Sequence, residues 1–137
     1  MSNVNKEPSL KVKKKALFSE KMNRYFWIFS LLLVTETVIV LLHFHRFIRG
    51  FIGDVLVIPL LFYFGKWITR FSAKRILLLV ILVAISIECM QLLNLASKLG
   101  IKNRVFYILL GNTFDPWDLV AYLIGGLTVI IFERYFS

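Results

Sequence analysis

Four stretches of about twenty mostly apolar residues dominate this chain, the length that crosses a bilayer as a helix. They are Tyr25–Leu42, Phe51–Ile68, Ile76–Leu95 and Trp117–Phe132. Pro59 falls at the centre of the second and predicts a kink there. No internal repeat is visible. The expected architecture is all-α, an integral membrane bundle of four transmembrane helices over residues 25–137. A basic cytoplasmic tail over residues 1–24 precedes it.

Polar interruptions of this pattern are few, and five are acidic: Glu36, Asp54, Glu88, Asp115 and Asp118. A carboxylate at mid-membrane costs about 2.5–3.5 kcal/mol or more, so such residues face a bundle interior or a watery pocket. These five therefore mark the candidate site.

Composition agrees with membrane residence. The chain has 137 residues, 58% hydrophobic, with a mean hydropathy of +0.75, against about 45–50% apolar for soluble domains. The net charge of +9 comes from 17 Lys and Arg against 8 Asp and Glu. These cations lie in the tail and in the loops between apolar runs, which points to lipid headgroups and topology control rather than nucleic acid. Cys89 lies alone in an apolar run and reads as an inert small hydrophobe.

A basic tail before an apolar run also resembles a signal peptide. Tyr25–Leu42 is long for one, and no small-residue cleavage site follows, so an uncleaved signal-anchor is the better reading. Lys6, Lys11, Lys13, Lys14, Lys15, Lys21, Arg24, Lys66, Arg70, Lys74, Arg75 and Arg134 fall on one side of the expected spans. Arg46, Arg49, Lys98, Lys102 and Arg104 fall on the other. The positive-inside rule places both termini in the cytoplasm of a multi-pass protein of the bacterial inner membrane. On that frame the five acids share one outward-facing layer, at the level of Arg46, Arg49 and Arg104.

Several local patterns carry both a chemical and a structural reading. Glu88 and Gln91 are three apart, on one helical face, with Asn94 extending the stripe. The stripe is either glue between helices or the wall of a pocket. Asp115, Pro116 and Asp118 suit the N-cap, first and third positions of the fourth span. Asp118, Ala121, Tyr122 and Gly125 then form a stripe whose small residues let another helix approach. The segment Arg49-Gly-Phe-Ile-Gly-Asp54 predicts a tight re-entry, with Asp54 bridged to Arg49 or Arg104. His43 and His45 diverge by about 200° on a helix, so no metal site is expected. Val105–Leu110, inside the long loop Ala96–Phe114, is too short to span and predicts an interfacial or re-entrant piece. No Gly-rich phosphate loop, nucleophile elbow, Cys pair or nucleotide fingerprint occurs, and no cofactor is expected.

The residues Arg49…Gly53-Asp54-Val-Leu56…Tyr63, Glu88-x2-Gln91 and Leu110-Gly111-x2-Phe114-Asp-x-Trp-Asp118-Leu-x-Ala-Tyr122-x2-Gly125 resemble the bacterial domain of unknown function 2809 over about residues 46 to 130. More distantly they are similar to VanZ-like membrane proteins, in which Tyr122 has an asparagine counterpart. That second likeness implies a link to the cell envelope and glycopeptide tolerance.

The leading expectation is binding of an envelope lipid or glycolipid headgroup by Arg49, Asp54, Glu88, Gln91, Arg104 and Asp118. One alternative is an enzyme on a lipid-linked envelope precursor, with Glu88 or Asp118 as general acid or base. Another is a subunit of a proton-coupled transporter working through Glu36 and Glu88, which four spans would support only as a homo-oligomer.

Overall fold

A computed structural model describes residues 6–42, 45–100, 102–105 and 114–136. Among these residues the fold is all-helical: α1 (Lys6–Leu41), α2 (Arg46–Ile68), α3 (Ala73–Leu92), the single turn α4 (Leu95–Lys98) and α5 (Pro116–Phe136). Four of them, α1, α2, α3 and α5, are long and apolar enough to cross a membrane. Val105 is the only described residue of the piece Val105–Leu110; the rest of it, and His43, lie outside the described residues.

The first helix is longer than the apolar run that announced it. Its 36 residues extend about 54 Å, so the basic tail from Lys6 and the first span are one continuous helix. Lys, Glu, Leu and Ala are good helix formers, and the only breaker, Pro8, lies in the first turn, where its missing N–H removes no helical bond. A bilayer core is about 30 Å thick, so the charged segment extends beyond it.

α2 is the hub, packed most extensively against α5 and α1 and less against α3, while α3 also touches α5. Its seam with α1 is aromatic. Phe26 and Phe29 approach Trp67 at 5.1 and 6.1 Å between ring centroids, and Phe29 meets Phe64 at 5.2 Å. Ile58 and Phe62 of α2 are fully buried, with Ile76 and Ala84 of α3 and Ala121 and Val129 of α5 completing the centre. Outward-facing Leu31, Val34, Leu79, Leu82, Leu123 and Leu127 are exposed. That apolar surface suits lipid, and water would not tolerate it. Hydroxyls follow the same logic: Ser30, Thr35, Thr37, Ser86 and Thr128 each donate to the carbonyl four residues back, which satisfies them within their own helix.

Pro59 sits inside α2, and the helix continues unbroken to Ile68. Lacking an N–H, it leaves the carbonyl of Val55, four residues earlier, without its helical donor. That same oxygen faces Gly125 of α5, where a Cβ would run into it and would also lie 3.0 Å from Ile58 Cβ. The carbonyl that the proline leaves free and the bare glycine thus meet where α2 and α5 pack closely.

Candidate functional site

All five acids gather at one end of the bundle, formed by the C-terminal ends of α1 and α3 and the N-terminal ends of α2 and α5. The local reasons differ. Asp115 caps α5: its Oδ1 accepts from the Trp117 N–H at 3.0 Å, and its carbonyl accepts from the Asp118 N–H at 3.0 Å. Pro116 opens the helix, a position that loses nothing by lacking an N–H. This fixes the stripe of α5, so Asp118 and Tyr122 face inward above the buried Ala121 and Gly125. On α3, Glu88 is only 2% exposed. Asn94 does not continue the Glu88–Gln91 stripe. α3 ends at Leu92, and Asn94 adopts a left-handed backbone (φ 55°) leading into α4. Asparagine tolerates that conformation better than most residues.

These side chains enclose a cavity of about 820 Å³, lined by Arg46, Arg49, Asp54, Glu88, Gln91, Asp115, Asp118 and Tyr122, with His45, Phe47, Phe51 and Trp117 around them. Five of the six expected binding residues line it: Arg49, Asp54, Glu88, Gln91 and Asp118. Arg104 is exposed and is not among the lining residues. A second cavity of about 440 Å³ adjoins the first through Arg49, Gly50 and Asp54 and is walled by Glu36. At Gly53 a side chain would begin 3.6 Å from Glu36 Oε2, so this carboxylate lies in contact range of α2.

Two pairings organise the acids. Tyr122 donates its hydroxyl to Glu88 Oε1 at 2.8 Å. Asp54 and Asp118 form a close pair of carboxyl groups in the same cavity. Asp54 therefore meets another acid, rather than the bridge to Arg49 or Arg104 that its sequence neighbourhood suggested. Glu88 Oε2 and Glu36 Oε1 are buried and have no hydrogen-bond partner among the described residues.

Depth separates the signs of charge. Glu88 is buried and Asp54 and Asp118 are half-buried, whereas Arg46 and Arg49 are exposed at the start of α2. The arrangement can accept hydrogen bonds from hydroxyl or ammonium groups deep in the cavity and hold an anion at its mouth. Among the described residues no three His, Cys, Asp or Glu side chains converge as metal ligands. His45 instead accepts weakly from the Phe47 N–H at 3.4 Å, through Nδ1.

Arg46 and Tyr122 are among the lining residues outside the expected binding set, with His45, Phe47, Gly50, Phe51, Asp115 and Trp117. Both had a signal: Arg46 belongs to the same basic loop as Arg49, and Tyr122 stands one helical turn beyond Asp118.

The sequence model of a family described as "Protein of unknown function (DUF2809)" matches residues 43–126, the segment that supplies every residue of the larger cavity. No curated protein and no solved structure matches the chain.

Proposed function

The chain belongs to the family of unknown function DUF2809, and from that membership and the geometry of its charged cavity we propose that it binds the headgroup of an envelope lipid or glycolipid. In this reading it is a multi-pass protein of the bacterial inner membrane. Both termini lie in the cytoplasm, and the cavity opens on the outer side. Membrane lipid is the partner, and an envelope glycolipid or lipid-linked precursor is the ligand class that the carboxylates and arginines suit.

One observation carries the proposal. Glu88 lines a cavity of about 820 Å³ and has a buried oxygen, Oε2, without a hydrogen-bond partner among the described residues. Leaving such an acceptor unsatisfied costs about 1–3 kcal/mol, and more for a charged group. A purely structural staple would have both oxygens engaged. A ligand that donates to Glu88 Oε2 removes the cost, and Arg46 and Arg49 hold its anionic part.

The test is lipid retention. The detergent-solubilised protein should co-purify with lipid that Glu88→Gln fails to retain while reaching the membrane at equal abundance. Equal lipid content in the two proteins would remove the proposal.

An enzymatic reading draws on a different observation, the carboxyl pair Asp54–Asp118. Two neighbouring carboxyl groups can act as general acid and base at a bound substrate. Turnover of a lipid-linked precursor that stops with Asp118→Asn, with binding retained, would favour it.

A further inference from the structure

Resting on the headgroup reading above, we infer that the cavity recognises a phosphate joined through a short linker to a primary ammonium, the chemistry of phosphoethanolamine, with the ammonium held at the buried carboxyls and the phosphate at the mouth.

The buried acids lack a cation. Among the described residues Glu88 is bonded to Tyr122, Asp54 lies beside Asp118, and no lysine or arginine pairs with any of them. A buried carboxylate is costly unless a cation or a proton accompanies it. A sugar hydroxyl would supply a hydrogen bond and leave the charge uncompensated. An ammonium supplies compensating charge and three donors, enough for Glu88 Oε2 and for oxygens of the Asp54–Asp118 pair. Phe51 and Trp117 line the same cavity, and aromatic rings are partners a cation can use.

The other half of the ligand follows from the mouth. Arg46 and Arg49 are exposed and line the same cavity, and guanidinium groups bind phosphate through paired N–H donors. Arg49 precedes Asp54 by five residues, about 7.5 Å along the helix axis, a separation that the arginine side chain shortens. A wholly anionic headgroup would satisfy the arginines and be repelled by the acids. A simple amine would do the reverse. A zwitterion in this orientation meets both.

The experiment uses the full chain in detergent micelles, titrated calorimetrically with dihexanoyl phosphatidylethanolamine, its N-acetyl derivative, dihexanoyl phosphatidylglycerol and free O-phosphoethanolamine. The first should bind about tenfold or more tightly than the second and third, the value of one charge-assisted hydrogen bond. Glu88→Gln should erase that preference by weakening phosphatidylethanolamine most, and Arg49→Gln should weaken all phosphate ligands alike. Equal binding of phosphatidylethanolamine and its N-acetyl derivative overturns the ammonium site while leaving headgroup binding intact, and that comparison requires no variant to fold. Free O-phosphoethanolamine binding as tightly as the lipid keeps the zwitterion site and assigns it to a soluble ligand. No binding by any of the four, in a protein that still co-purifies with lipid, overturns this inference alone. No binding and no co-purified lipid overturns both.

Discussion

The Tyr122 hydroxyl donates a 2.8 Å hydrogen bond to Glu88 Oε1, tying α5 to α3 through residues 34 positions apart. Among the described residues Glu88 Oε2 has no hydrogen-bond partner, so Tyr122→Phe strips this buried carboxyl of the donor that Tyr122 supplies. The expected cost is about 1–3 kcal/mol, read as a lower thermal midpoint in detergent. An unchanged midpoint would mean that the hydroxyl contributes nothing to the docking of α3 on α5.

Gly125 and Gly126 are neighbours with different environments. A Cβ at Gly125 meets the Val55 carbonyl, which is backbone and has little room to yield, whereas at Gly126 it meets only Ile81 Cδ1 at 3.4 Å. Gly125→Ala should therefore push α5 off α2 and cost about 1–3 kcal/mol. Gly126→Ala should be neutral or slightly stabilising, because alanine is the better helix former. Unfolding of the two variants in the same detergent decides it, and equal midpoints would contradict the close approach.

Asp115 and Asp118 are three residues apart and do different work. Asparagine can replace Asp115 as the acceptor from the Trp117 N–H, and it caps a helix about as well as aspartate. Asp115→Asn should be mild in lipid retention and abundance. Asp118→Asn alters a carboxyl that lines the cavity beside Asp54, and it should lose retained lipid at normal abundance. Equal loss at Asp115 would make that residue part of the binding machinery as well as a cap.

Orientation is testable by labelling. In a Cys89→Ser background, a cysteine replacing Lys14 should react with an impermeant reagent only after the cells are opened. One replacing Lys102 should react in intact cells. The reverse pattern would invert the topology and place the charged cavity on the cytoplasmic side.

The spans were legible in the sequence because apolar runs of bilayer length have few other uses, and the cap at Asp115 was legible because capping is local. α1 was read short because hydropathy marks the membrane boundary, while helix propensity continues through the lysines to Lys6. The pairings were harder. Shared depth brought Asp54, Glu88 and Asp118 to one level, yet depth says nothing about which partner each finds. Asp54 meets Asp118 rather than an arginine, and Arg104 is exposed. Tyr122 was visible as a stripe position, but its bond to Glu88 depends on how α3 and α5 cross. Asn94 shows the limit of periodicity, which holds only while the helix does.

Because α1 runs without a break from Lys6 to Leu41, it behaves as an axle. Lys14 and Glu36 are 22 positions apart, which puts them about 33 Å apart along the axis and about 40° apart around it. Whatever clamps the azimuth of Lys14 sets the azimuth of Glu36. A quarter-turn at the basic end would swing that carboxylate away from Gly53 and Asp54 altogether.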